Sequence, residues 1–575
     1  MLLGFKRNHA KNGHRAVPPY LETCKMLDKS NEFSPARRTV LKSAVSLAGT
    51  GLLAGTAPGL ALAAADPVAE TTHGKIRGVT DDRVHVFKGV RYGDTTEGAN
   101  RFMPPRPPRK WAGVVDAKAW GASAPQVVGK PDPFNAWYTA TQPVSEDCLF
   151  LNVFTPGLRD NGRRPVMVWL HGGAWTNCAG TAPGFDGTNL ARDGDVVVVT
   201  VNHRLNVFGY VQLDDQDDRF ADAGNTGVQD MIAALHWVRD NAAQFGGDPG
   251  NVTIFGQSGG AAKVVALMGT SKAHGLFHKA IVQSCSGGRQ IDGQQEAAAQ
   301  AHDLAAALGL SRLTGDALRK VSMNDLIKAT KGIADPFRPV IDGRTFKSDP
   351  FYPDAPGISS HIPLLIGNAN TEMTYYLQVD PGNFSLAMAD VKRRMGHFLK
   401  LDDASVDHLI DVYRTSYPAY TPSELLTTMS TDYVFKRNTL KVASLQARHA
   451  AAPVYAYVFA RETPIRGGVI HAPHTEEVPF IFGTTEAAAA MLGAGSDIAP
   501  VTRRMTATWT AFARHGNPNN RALPQWAHYK DPDRQTMVLQ RESRLEKDPG
   551  GQARAALDTL PYYEYSMERG DVVKG

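Results

Sequence analysis

Apolar positions along this chain fall into two kinds of run. Continuous runs at 166–170, 196–201, 252–255 and 363–366 show little polar alternation. That is the pattern of strands covered on both faces in a mostly parallel sheet. A periodic run follows the second of them. Val228, Met231, Ile232, Leu235, Val238 and Phe245 recur at helical spacing, and Gly246-Gly247-Asp248-Pro249 ends the helix they predict. Strand, helix and strand in this order predict an α/β fold, a mostly parallel central sheet with crossover helices. From about 290 to 445 the texture is more helical, with Ala-rich stretches such as 296–308, and predicts a helical cap-like region. The Pro-rich stretch 103–108 is too short to separate domains and reads as a surface turn. Residues 66–575 therefore read as a single domain.

Composition narrows the class. The chain has 575 residues, 42% hydrophobic and 21% charged, which suits a globular protein and excludes disorder or a multi-span membrane protein. Its net charge of +5 is concentrated at one end. Residues 1–65 hold nine Lys or Arg against three Asp or Glu, leaving 53 basic and 54 acidic side chains in the rest. A body without excess positive charge argues against a nucleic-acid partner. In the leader, Arg37-Arg38 precedes an Ala-, Gly- and Leu-rich stretch at 44–65 that ends in small residues. Charged head, weak apolar middle and small-residue end describe an export signal, and the paired arginines resemble a twin-arginine signal. The glycines and Pro58 weaken the competing reading of a membrane-spanning helix. The expectation is an exported protein, periplasmic or secreted, with no membrane span in the mature chain. Beyond Cys24 in the leader, Cys148, Cys178 and Cys285 are an odd number with no CxxC pair. A structural zinc site is not expected, and no metal or organic cofactor is implied.

The candidate chemistry centres on Gly256-Gln257-Ser258-Gly259-Gly260, which follows the run at 252–255 and precedes a small-residue stretch. A strand turning sharply into a helix would hold Ser258 at its tip, and glycine on either flank would remove a backbone collision. The helix N-terminus would then favour a developing negative charge. A second small-residue cluster, His171-Gly172-Gly173-Ala174-Trp175, follows the run at 166–170 and could present backbone N–H groups to a carbonyl oxygen. A serine needs a general base, and in this arrangement the chain order is Ser, acid, His. His471 and His474 lie in a loop after a strand candidate at 454–460, and Glu372 closely follows the run at 363–366.

The order and spacing of further motifs extend over nearly the whole body. They include "GKIRG" at 74–78, "VFKGVRY" at 86–92, "SEDCLFLNV" at 145–153, "NAAQFGGDPGNVTIFGQSGG" at 241–260 and "WTAFARHGNPN" at 509–519. In these the chain resembles the type-B carboxylesterases, the cholinesterase-like branch of the α/β hydrolases, in its bacterial, para-nitrobenzyl-esterase-like form. The resemblance implies the α/β-hydrolase fold. It also implies a Ser258–His474–Glu372 triad and an oxyanion hole from the N–H groups of Gly173, Ala174 and Gly259. His474 is preferred to His471 because it stands nine residues before the glycine of an F-x-F-G ending. Glu146 and Arg204 match positions that the family joins in a structural ion pair. The chain departs from the family at Gln257, usually Glu, and at Gly259, usually Ala. Cys148 matches one end of a family disulfide whose other position is Ala124, so that loop is expected to be unclipped and more mobile. Glu372 also lacks the family's preceding Asp, having Thr371 there.

The implied reaction is hydrolysis of a small-molecule ester through an acyl-enzyme. The alternatives are a related serine hydrolase acting on carbamates, amides or thioesters, a lipase, and a non-catalytic cholinesterase-like binding protein. Trp175 and Gln257, with the 127–144 loop and its Trp137, are the candidates for the substrate pocket.

Overall fold

The computed structural model describes residues 65–129, 132–214, 217–287, 289–333, 337–563 and 570–574; the leader read as an export signal lies outside them. The continuous apolar runs form the middle of an 11-stranded sheet. From one edge its order is Arg544–Lys547, Gln535–Leu539, Val454–Phe459, Leu364–Ala369, Lys279–Gln283, Gly247–Gln257, Arg164–Leu170, Val197–Val201, Phe150–Thr155, Val84–Arg91 and Val79–Asp81. Pairing is parallel from Gln535–Leu539 across to Val197–Val201 and antiparallel beyond both limits. A separate three-stranded sheet joins Val68–Thr71, Gly74–Arg77 and Val114–Asp116.

Alternate residues of each central strand enter different cores. Val166, Val168 and Leu170 pack on one face with Ile254, Val282 and Ile366. Met167 and Trp169 pack on the other with Phe255, Ile281 and Leu365. Both neighbours of every residue are therefore apolar, which is why the runs show no alternation. The helices Thr226–Asn241 and Gly259–Met268 cover the first face, and Ile498–His515 covers the second.

The predicted helix at 228–245 is Thr226–Asn241 with a tighter turn, Ala242–Phe245, which ends at Gly246 in the left-handed region (φ 69°). The expected helical region is interrupted. Leu364–Ala369 inserts into the middle of the sheet, and helices lie on both sides of it in sequence. Those after it, including Met388–Leu399, Asp403–Ser416 and Pro422–Thr431, have their own apolar core, closed by C-terminal residues such as Leu557, Tyr563 and Val572.

One further reading changes. Glu146 and Arg204 are not partners: Glu146 pairs with Arg101, and Arg204 pairs with Asp230 at 2.6 Å. The family positions are architectural, but each charge takes a different partner from the one expected. Cys148, Cys178 and Cys285 are free and buried. The segment from Ser123 to Ser145 is nevertheless closed at its base, where Ser123 N–H donates to Pro143 and Ser145 N–H donates to the Ser123 carbonyl, at 3.0 and 2.9 Å. Backbone bonds thus hold the loop ends where the family uses sulfur.

The Arg204–Asp230 pair is almost wholly buried, and Asp230 also accepts from the Arg204 backbone N–H. Removing one partner strands the other charge. Asp230→Ala should destabilise the protein by about 3–5 kcal/mol, read as a lower urea midpoint at unchanged slope.

Candidate active site

Ser258 stands between the strand Gly247–Gln257 and the helix Gly259–Met268, with φ 59° and ψ −123°. Few residues other than glycine adopt this conformation without strain. Its N–H donates to the Gln283 carbonyl on the adjacent strand at 2.8 Å, which fixes the turn. The flanking glycines are required by backbone, not by the serine side chain. A Cβ at Gly260 would lie 2.0 Å from the Leu170 carbonyl oxygen, and one at Gly256 would lie 2.5 Å from the Gly260 carbonyl carbon. Gly259 is equally constrained: a Cβ there would lie 2.4 Å from both the Cα and the N of Ala174. The start of the helix and the segment Gly173–Ala174 are therefore in backbone contact. Gly173 and Ala174 both have positive φ, 75° and 52°.

Glu372 follows the end of strand Leu364–Ala369 and is fully buried. Its Oε1 accepts the Ala369 N–H at 2.7 Å, and its Oε2 accepts from His474 Nδ1. The loops carrying the two residues are laced together. Thr371 N–H donates to the Ala472 carbonyl and Ala472 N–H donates to Thr371 Oγ1, while Thr374 Oγ1 donates to the Ile470 carbonyl. Beyond His474, Glu476 is held by buried Arg461 at 2.7 Å, and Arg461 also binds Asp497. The imidazole sits among the rings of Tyr375, Tyr376 and Phe435, with centroids 5.7, 5.8 and 4.9 Å away.

A second carboxyl lies close behind. Glu477 Oε1 accepts from Gln283 Nε2 at 3.2 Å, and Gln283 Oε1 accepts the Trp509 indole N–H at 3.2 Å. Because an indole only donates, this chain fixes which way the Gln283 amide points. Burial, and then the negative charge of Glu372, push Glu477 up to about 8. At neutral pH Glu477 keeps its proton.

Ser258 and His474 both face a cavity of about 430 Å³, within the range of small-molecule sites. Residues of 126–129 and 132–140 form one side, and Asn177, Tyr375 and Tyr376 contribute to the rest. Gly173 and Ala174 line it beside Ser258. Gly259, the third expected oxyanion donor, begins the adjoining helix. Two of the expected pocket residues are placed elsewhere. Trp175 is buried against Tyr210, ring centroids 5.1 Å apart, and turns away from the cavity. Gln257 lies beneath the imidazole: its Oε1 accepts from Tyr138 Oη at 2.9 Å, and its Nε2 is 3.3 and 3.2 Å from the two ring nitrogens of His474. That near-equal spacing places the amide nitrogen against the face of the imidazole. Trp137 is buried beside Phe185, while its neighbour Tyr138 reaches the cavity. His471 is in a separate depression, 3.6 Å from Glu424 and 3.7 Å from Glu462. Tyr138, Tyr375 and Tyr376 were not singled out by sequence; the one signal was the aromatic pair in "TEMTYYL", directly after the acid. Among the described residues no cluster of three or more His, Cys, Asp or Glu could hold a metal ion, and no helix is long and apolar enough to cross a membrane.

Comparison with known proteins places this arrangement. The profile of the Carboxylesterase family matches residues 65–556. The para-nitrobenzyl esterase of Bacillus subtilis (strain 168) is 34% identical over 506 residues, covering 85% of this chain and 98% of that protein. The phenmedipham hydrolase of Pseudarthrobacter oxydans is 33% identical, covering 82% and 95%. The crystal structure of a Geobacillus stearothermophilus carboxylesterase superposes with a TM-score of 0.75 at 34% identity, covering 85% of this chain and 99% of that one.

The raised Glu477 has a measurable consequence. The folded chain binds a proton there that the unfolded chain has already released, so the group costs stability progressively as pH rises from the ordinary carboxylate range to about 8. Glu477→Gln keeps the oxygen that Gln283 binds and cannot ionise. Its thermal midpoint should fall less than the parent's across that window and exceed it at the upper end. Identical pH slopes for the two proteins would contradict the assignment.

Proposed function

The chain belongs to the carboxylesterase family and is a serine carboxylesterase of the α/β-hydrolase fold, and from that premise we propose that it hydrolyses small-molecule esters through an acyl-enzyme on Ser258. His474 takes the Ser258 hydroxyl proton at Nε2 as Oγ bonds to the ester carbonyl carbon. Glu372 fixes the tautomer from Nδ1 and balances the imidazolium that forms. The carbonyl oxygen becomes an oxyanion and is met by the N–H groups of Gly173, Ala174 and Gly259. The bond to the alcohol oxygen then breaks, and His474 returns the proton to that oxygen. Water repeats the sequence on the acyl-enzyme: it gives a proton to His474 as it attacks, and Ser258 leaves with that proton as the acid departs.

The observation that carries this reading is the union of three things at one cavity: a serine in a strained turn, a histidine bonded to a buried carboxylate, and two consecutive left-handed residues beside the serine. Gln257 supports the base from below: its amide lies against the imidazole face, and Tyr138 steadies its other end.

For substrate we infer an ester of modest size carrying an aromatic or conjugated group, accommodated among Tyr138, Tyr375 and Tyr376. A carbamate is the second reading, because the same serine would attack it and one relative is named a phenmedipham hydrolase. We also propose that the leader exports the domain, so that the reaction occurs in the periplasm or outside the cell. Sequencing the N-terminus of protein recovered from the producing cell's exterior or periplasm should find the leader removed near residue 65. Intact leader on cytoplasmic enzyme would contradict the export reading.

Ser258→Ala should lower kcat/KM for p-nitrophenyl esters by at least about 10⁴-fold with the fold intact. Across a series from acetate to palmitate, the rate should peak among short acyl chains. A preference for palmitate would instead favour the lipase reading.

A further inference from the structure

One buried charge near this site has no part in the proton relay. Lys263 lies one turn into the helix that begins beside Ser258, and it is fully buried. Its Nζ donates to the His171 carbonyl at 2.7 Å and lies 3.4 Å from the Gly172 carbonyl oxygen. It also sits over the Trp175 ring, 5.7 Å from the centroid, which explains why that indole is turned inward. Desolvation draws its value down to about 7, so near neutral pH it is shared between ammonium and neutral amine, and both forms donate to these carbonyls. An ammonium in such a place is costly to the fold.

We propose that Lys263 is a positioning residue for the oxyanion hole, aiming and polarising the N–H groups of the segment His171–Ala174. The geometry is that of the peptide unit. In a trans peptide the C=O and the N–H point in opposite directions. The Gly172 carbonyl belongs to the peptide whose N–H is that of Gly173. Drawing this carbonyl back toward the helix turns the Gly173 N–H forward, toward the cavity that Gly173 lines. His171 acts on the same oxygen: its Nδ1 is 3.0 Å from the Gly172 carbonyl. Burial, and then the charge of Lys263, hold the His171 ring well below its ordinary value, so it is neutral and donates there from Nδ1. A carbonyl that accepts two hydrogen bonds makes its own peptide N–H a stronger donor.

The position within the helix supports the assignment. Residues 259 and 263 are four apart and share one helical face, and both touch the same segment. Gly259 meets Ala174 by backbone contact, and Lys263 holds His171 and Gly172 by hydrogen bonds. The segment is thus gripped at both ends of one helical turn. It also explains how two consecutive left-handed residues, Gly173 and Ala174, are maintained.

This inference rests on the proposed oxyanion hole, and the experiment separates the two. Lys263→Met replaces the ammonium with an apolar chain of similar length, and Lys263→Gln keeps one neutral donor. For the Met variant kcat should fall by about 10²–10³-fold, the scale of a lost oxyanion donor. Its KM should change less than about threefold. Affinity for an aryl trifluoromethyl ketone, which forms a tetrahedral oxyanion on serine, should fall by the same factor as kcat, whereas affinity for the product acid should not change. The thermal midpoint should be unchanged or higher, because an unpaired buried charge has gone. The Gln variant should lie between the two, and it decides the matter if the Met variant does not fold. A kcat within twofold of the parent in both variants, or equal losses in ketone and product affinity, would overturn the role of Lys263. If Ser258→Ala left turnover intact, the underlying catalytic reading would fail instead.

Discussion

The arrangement depends on a backbone-to-backbone contact. The end of strand Arg164–Leu170 and the segment after it press against the turn Gly256–Gly260 so closely that no side chain fits at 256, 259 or 260. The contact is possible because the two strands are adjacent and parallel, in register from Val166 opposite Val252 to Leu170 opposite Gly256. Parallel neighbours end at the same edge of a sheet, so the serine and the segment 171–174 emerge side by side. The same rule brings in the other groups. Leu364–Ala369 and Val454–Phe459 are parallel to these strands and release Glu372 and the loop of His474 at the same edge. The sheet therefore supplies the site's coarse geometry before any polar contact is made.

Polar contacts then sort the charges. Four carboxyl groups, Glu372, Glu476, Glu477 and Asp497, lie within a short distance along the chain or in space of His474. Their surroundings differ. Glu476 and Asp497 share Arg461, though burial pushes the fully buried Glu476 up while Asp497 is held low; Glu477 keeps its proton, and Glu372 faces the imidazole. In a medium of low polarizability such neighbours cannot all ionise, and a protein that fixes which one does so also fixes the direction in which the histidine ring points. The laced loops at Thr371 and Ala472 serve the same end mechanically, since a carboxylate can orient a ring only if the distance between their backbones is constant.

How much of this was legible in sequence follows from the range of each interaction. The runs at 166–170 and 252–255 were readable because burial on two faces leaves a local mark. The elbow was readable because the steric demand falls on residues next to the serine. Strand ends and chain order narrowed the candidate acid and base to Glu372 and the histidines 471 and 474, but only the family resemblance chose His474, since Glu372 and His474 are 102 positions apart. The ion pairs were misassigned for the same reason: residues that must be architectural can be spotted, but choosing Asp230 for Arg204 and Arg101 for Glu146 requires the topology. Direction at a strand end was also hidden. Trp175 and Gln257 sit beside the reacting groups in sequence, yet one turns into the core and the other under the imidazole. The tyrosines that do face the cavity come from a loop and a short helix with no periodic pattern to mark them.

The departures from the family at 257 and 259 are better understood together with Lys263 than singly. Glycine at 259 lets Ala174 approach until the two backbones touch, which removes the steric wedge that a methyl group would supply between helix and loop. A segment that has lost its wedge needs another restraint, and the lysine one turn later provides it from the same helical face. At 257 the exchange of a carboxylate for an amide removes a negative charge from beneath the imidazole and a few residues from a buried ammonium. The amide there lies against the imidazole face through its nitrogen while its oxygen accepts from Tyr138. The site thus keeps the ordinary reacting groups and changes how they are held. The exchange of carboxylate for amide at 257 moves the local field in the direction that favours negative charge beside the serine, while glycine at 259 changes only how closely the two backbones meet.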